Sequence, residues 1–152
     1  MEGSQMNTIT YFAYGSNMDP ERMQQRCPRA EPVGTAVLAG HMVRIGGRGV
    51  ATTVEQPAEV IHGVCWTLGS GEEAVLDRVE GVSLGLYRRE WVDVVLDDGS
   101  GRQALTYVED FSGDGLPRRG YLETILRGAR EFRLPEPYIA RLALLSAPGM
   151  PS

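Results

Sequence analysis

Lysine is missing from this sequence: all fifteen basic residues are arginine. The absence removes a Walker-A phosphate loop, a Schiff-base lysine and a Ser–Lys dyad, each of which needs an amine at its centre. Cysteine is scarce as well. Cys27 and Cys65 do not make a disulfide framework, and they read as free, partly buried thiols of a reducing cytoplasm. No run of 18 apolar residues exists to span a membrane. The first seven residues have neither the basic nor the apolar segment of a signal peptide, and residues 1–8 read as a disordered polar tail. Positive charge is not in excess. Fifteen basic against twenty acidic residues leave a net charge of -5, which argues against nucleic acid or an anionic membrane as the main partner.

What is present is an ordinary globular chain. Its 152 residues are 42% apolar and 23% charged, enough for one domain, read over 9–148, that buries its own core. A short apolar and aromatic run at 9–14 predicts a buried strand that stops at Gly15-Ser16-Asn17. Asp19 and Pro20 form an N-cap and N1 pair for a helix through residue 26. Residues 33–45 are strand-like and broken by Gly40, 46–49 form a glycine-rich turn, and 50–54 and 60–68 read as two further strands. Residues 72–80 predict a short helix with Val75, Leu76 and Val79 on one face and Gly81 as its C′ residue. Strands at 87–96 and 103–108 flank an Asp-Gly turn. Tyr121, Leu122, Ile125, Leu126 and Ala129 make a helical stripe. Pro135 breaks it, and Tyr138, Leu142 and Leu145 mark a last helix ended by Pro148. Strands first and helices mostly last predict an α+β fold built on a mostly antiparallel sheet or barrel.

Several constellations bear on chemistry. Gly69-Ser70-Gly71-Glu72-Glu73-Ala74 has the form of a dinucleotide fingerprint. Glu72 and Glu73, however, would sit in the helical turn that should receive a pyrophosphate, and two carboxylates there repel an anion. His62 and Cys65, three apart in a strand, face opposite sides and cannot easily share a metal. No zinc-ligand spacing appears, so no metal site is expected. Ser16 lacks the G-x-S-x-G context of a hydrolase nucleophile. The Gly15-Ser16-Asn17 segment can present backbone N–H groups to a carboxylate or an oxyanion, or can be an ordinary strand-to-helix turn. Glu80 falls at the carbonyl end of its helix, beside Leu76. Both circumstances raise a carboxyl pKa toward the range of a general base; a solvated glutamate at the same place is the plainer reading. Tyr14, Tyr87, Tyr107 and Tyr121 lie in separate elements, each able to serve simply as a core or rim aromatic.

The segment Tyr11-Phe12-Ala13-Tyr14-Gly15-Ser16-Asn17-Met18 resembles the Tyr-Gly-Ser-Asn signature of the gamma-glutamylcyclotransferase family. Glu80-Gly81-Val82 with Gly85-Leu86-Tyr87 resembles that family's second motif. Gly63-Val64-Cys65-Trp66, Thr106-Tyr107-Val108 and the helical stretch from Tyr121 to Leu145 are similar to further parts of its pattern, so that the resemblance covers residues 9–145. Met18 stands where many relatives have leucine, and the chain stops sooner after its last helix than the longer animal members. The resemblance implies a small β-barrel with flanking helices, active as a monomer or homodimer. It implies an enzyme that cleaves a γ-glutamyl amide by attack of the glutamyl α-amine on its own γ-carbonyl, giving 5-oxoproline and a free amine with no cofactor and no metal. Carried over position by position, Glu80 is the general acid/base. Tyr14, Gly15, Ser16, Asn17 and Met18 bind the glutamyl group, with Tyr87, Tyr107 and Tyr121 lining the pocket. Some bacterial relatives remove a γ-glutamyl protecting group from an aminoglycoside-type antibiotic intermediate, and a γ-glutamyl-binding protein without turnover is the non-enzymatic alternative.

Overall fold

The computed structural model describes residues 8–146; the start of the expected tail and Pro148 lie outside them. Five strands close into one barrel: β1 (Ile9–Ala13), β2 (Glu31–Ile45), β3 (Ala51–Leu68), β4 (Arg88–Leu96) and β5 (Gly101–Val108), in the spatial order β1-β3-β2-β4-β5. Four helices flank it: α1 (Pro20–Arg26), α2 (Glu72–Val79), α3 (Tyr121–Glu131) and α4 (Glu136–Ala143). Every strand pair is antiparallel except the closing one, where β1 and β5 run parallel with Tyr11 opposite Leu105. The α+β barrel expected from the sequence is the fold observed. Among the described residues no helix is long and apolar enough to cross a membrane.

Two breaks expected within the strands are absent. Gly40 does not break β2; it sits in a bulge, where the pairing with β3 shifts between Ala39 and His41. The two strands expected at 50–54 and 60–68 are one strand, β3. Its middle passes through Gln56, Pro57, Ala58 and Glu59 opposite that bulge, outside the paired register. A proline is tolerated there because no ladder hydrogen bond is asked of it.

The barrel interior and the helix undersides form one core, with Phe12, Ile45, Ile61, Leu68 and Leu105 from the strands and Met23, Leu76 and Ile125 from the helices, all fully buried. The glycine-rich turn before α2 is closed by protein rather than ligand. Buried Glu72 accepts hydrogen bonds from the N–H groups of Gly69 (2.8 Å) and Arg29 (2.7 Å). Its carboxylate thus lies against the glycine turn that a pyrophosphate would have to approach.

Candidate active site

Two short turns set the site, one at the end of β1 and one at the end of α2. β1 delivers Tyr14 and Gly15 into a 3₁₀ turn, Ser16–Met18, and Asp19 then caps α1 by accepting the backbone N–H of Arg22 at 3.2 Å. The first N–H groups of a helical turn have no partner inside it. Those of Ser16 and Asn17 donate to no acceptor among the described residues. The turn lies against α3 at Gly128, where a methyl group would meet the backbone of Met18 at 2.5 Å and of Asp19 at 2.6 Å. α2 ends at Val79, Glu80 is its C-cap, and Gly81 follows with φ 69° and ψ 35°. That left-handed conformation reverses the chain just beyond the carboxylate, and the N–H of Leu86 returns to the Gly81 carbonyl at 3.1 Å.

Between these turns lies a cavity of about 370 Å³. Tyr14, Gly15, Ser16, Asn17, Glu80, Tyr87, Tyr107 and Tyr121 all line it, so these expected site residues, scattered along the chain, converge. Met18 does not. Its side chain is fully buried in the core, because the 3₁₀ turn rotates it away from the cavity and toward the barrel and α3. It supports the turn from behind, and the expectation that it touches a ligand is corrected.

Sequence reasoning missed Tyr11 and five arginines in the lining: Arg22, Arg26, Arg48, Arg118 and Arg119. The signal for the first two was the i, i+4 spacing of Arg22 and Arg26 on a helix that starts directly after the Gly-Ser-Asn turn, which puts both cations on one face. Nothing in the sequence marked the rest, since the 46–49 turn and residues 118–119 reach the cavity only through the barrel's curvature.

Hydrogen bonds fix the walls. The Tyr14 hydroxyl donates to the Tyr107 carbonyl and the Tyr107 hydroxyl to Asp77. The peptide at Ala51 is held from both sides: its N–H donates to the Tyr121 hydroxyl at 2.9 Å, and its carbonyl accepts from Tyr87. Asn17 donates to the Tyr11 hydroxyl at 3.0 Å and accepts from Arg26 at 2.8 Å. Arg48 is paired with Glu109 at 2.7 Å.

Glu80 is the one carboxylate in the lining among the described residues. Its side chain is 16% exposed and lies 3.9 Å from Arg26, beyond hydrogen-bond distance. No described residue donates a hydrogen bond to it. Burial pushes its pKa above the ordinary carboxylate value, while Arg26, Arg22 and Arg48 pull it back. Burial also pushes the phenols up, Tyr121 to about 12 and Tyr14, Tyr87 and Tyr107 well above the ordinary tyrosine value. Phenols and guanidinium groups therefore keep their protons near neutrality, and Glu80 is left as the group in the lining suited to take one. The thiols play no part: Cys27 and Cys65 are buried, and burial raises both to about 11.

A barrel of this order with one half-buried carboxylate in a cavity beside a Tyr-Gly-Ser-Asn turn defines a class of small enzymes, and comparison with known proteins agrees. The AIG2-like family model matches residues 60–142. The gamma-glutamylcyclotransferase of Bos taurus is 31% identical over 145 residues, covering 89% of this chain and 77% of the bovine one. That of Mus musculus is 29% identical over 150 residues, covering 92% and 80%. A solved structure described as a gamma-glutamyl cyclotransferase superposes with a TM-score of 0.86 at 27% identity, over 95% of this chain and 92% of that one. The chain belongs to the gamma-glutamylcyclotransferase family.

Proposed function

We propose that this protein cleaves a γ-glutamyl amide by internal acyl transfer. The α-amine of the glutamyl group attacks its own γ-carbonyl, a new lactam C–N bond forms, and the amide C–N bond to the leaving amine breaks. The attacking nitrogen gives up a proton and the departing nitrogen takes one. The products are 5-oxoproline and a free amine, and atoms balance without water, metal or cofactor. The observation that carries this reading is Glu80: a half-buried carboxylate with raised pKa and no hydrogen-bond partner, facing a cavity with no other carboxylate among the described residues. One group with a raised pKa can accept the proton from the attacking nitrogen and return it to the departing one. The unpartnered N–H groups of Ser16 and Asn17 suit the negative charge that develops on the γ-carbonyl oxygen. Tyr87 and Tyr121, pinned to the Ala51 peptide, form a stiff wall against which a flexible glutamyl chain would be held folded, the main requirement of a ring closure.

Five arginines against one glutamate in the lining favour a neutral or anionic leaving group over a polycation such as an aminoglycoside. The test is product analysis in heavy-oxygen water, with γ-glutamyl-alanine, a γ-glutamyl-alkylamine and a γ-glutamyl aminoglycoside as substrates. Internal attack yields unlabelled 5-oxoproline. Labelled glutamate as the first product would exclude the cyclisation, and binding of all three without turnover would make the protein a γ-glutamyl-binding protein.

A further inference from the structure

We propose that Arg22 reads the α-carboxylate of the γ-glutamyl group and so sets the requirement for a free carboxylate at that position. The inference rests on the γ-glutamyl reading above and adds a specificity residue to it. The attacking α-nitrogen and the α-carboxylate carbon are bonded to the same Cα, so they lie about 2.5 Å apart. A residue that holds the carboxylate must therefore stand close to the group that takes the amine proton. Three cations act on Glu80: Arg26, Arg22 and Arg48. Two of them are occupied. Arg26 donates to the Asn17 side chain at 2.8 Å, and Arg48 is ion-paired with Glu109, its Nε donating at 2.8 Å although its Nη2 makes no hydrogen bond among the described residues.

Arg22 is not occupied. It lines the cavity, its Nε is buried with no hydrogen-bond partner among the described residues, and no described carboxylate pairs with it. Burial and the neighbouring Arg26 both push its pKa down, a sign that its charge is poorly compensated. A guanidinium keeps its proton in a protein even so, and an anion seated on it removes the cost. The fork of N–H donors matches a carboxylate in two parallel bonds, which an ammonium cannot reproduce. The backbone of Arg22 is itself fixed, because its N–H donates to the buried N-cap Asp19, which Arg127 grips at 2.7 and 2.9 Å. The side chain therefore starts from a rigid point one turn from the Gly-Ser-Asn segment.

The experiment compares a carboxylate with its amide in wild type, Arg22→Gln, Arg22→Lys and Arg26→Gln. Calorimetric binding of L-5-oxoproline and of its carboxamide needs no turnover. Cyclisation of γ-glutamyl-alanine and of its α-carboxamide analogue reads the same preference in kcat/KM. Wild type should favour the carboxylate by about tenfold to a hundredfold, the range of a charge-assisted hydrogen-bonded pair. Arg22→Gln should bring the ratio close to one, mainly through KM, and Arg22→Lys should leave it in between. Thermal melting identifies a variant that fails to fold, in which case Arg22→Lys carries the comparison. The proposal is overturned if wild type shows no preference, if the Arg22 variants keep the wild-type ratio within about threefold, or if Arg26→Gln alone collapses it. Failure of the underlying reading looks different: 5-oxoproline binds no variant and γ-glutamyl-alanine is not cyclised by wild type.

Discussion

At the scale of single residues, the behaviour of Glu80 follows from where its charge is kept. Burial raises its pKa against three arginines that lower it, so burial wins. To act as a base it must be ionised, and kcat/KM should rise with pH through that raised value. The same shift works on stability in the opposite sense. A carboxyl whose folded pKa is raised stabilises the fold fully below the ordinary glutamate value of about 4.3, and that contribution is lost as pH climbs through the folded value. Glu80→Gln keeps the shape without the charge. It should melt no lower than wild type at pH 7, with the difference vanishing toward pH 4, while turnover drops by roughly 10² to 10⁴. A Gln variant that cyclises substrate within about threefold of wild type would make Glu80 a structural residue. A helix end beside an apolar stripe marked Glu80 as an odd carboxylate, but that pattern left a solvated glutamate equally open, and it was the resemblance of Glu80-Gly81-Val82 to a family motif that singled it out. Of the arginines around it, Arg22 and Arg26 left a trace in their i, i+4 spacing after the Gly-Ser-Asn turn, whereas Arg48, Arg118 and Arg119 left none, because only the folded chain brings their loops to the cavity.

Single elements carry the site through close approaches that periodicity does not reveal. α3 was legible from its stripe, and the structure begins it at Tyr121. Why Gly128 interrupts that stripe is visible only in three dimensions. The 3₁₀ turn Ser16–Met18 packs so tightly on α3 that any side chain at Gly128 would strike its backbone. Alanine would normally favour a helix interior by about 1 kcal/mol over glycine. Here the clash is with backbone, which cannot swing aside, and overpacking of this kind costs about 1–3 kcal/mol. Gly128→Ala should therefore lower the melting temperature instead of raising it. Because the displaced turn presents the Ser16 and Asn17 N–H groups, kcat/KM should fall along with it. A variant as stable as wild type would show that the turn and α3 are free to separate. β3 was misread for the complementary reason: Glu55-Gln56-Pro57-Ala58-Glu59 has the composition of a loop, and only the bulge in its partner lets it continue a strand.

At the scale of the molecule, the site exists because the barrel closes. Strand existence and the β4–β5 hairpin could be read from local pattern, since alternation and an Asp-Gly turn are short-range signals. Closure could not, because it joins residues more than 90 positions apart in a parallel pairing that no turn announces. Until that seam forms, Tyr14 and Tyr107 belong to opposite edges of an open sheet and no cavity joins them. Among the described residues the seam has one registered pair, Tyr11 with Leu105. Two side chains reinforce it: the buried Thr106 hydroxyl donates to the Phe12 carbonyl at 2.8 Å, and the Tyr14 hydroxyl to the Tyr107 carbonyl. Each bond crosses from one edge to the other. Thr106→Val and Tyr14→Phe are near-isosteric and should each cost about 0.5–1.5 kcal/mol in denaturant unfolding, the ordinary net worth of a hydrogen bond. If both act by holding the seam shut, opening it with one substitution leaves less for the second to lose. The double variant should then be destabilised by less than the sum, with a coupling of at least about 0.5 kcal/mol. Thr106 does not line the cavity, so any loss of cyclisation in Thr106→Val would have to come through the seam. Strict additivity together with unchanged turnover in Thr106→Val would show that the two bonds stabilise their own neighbourhoods and that closure depends on the core beneath them.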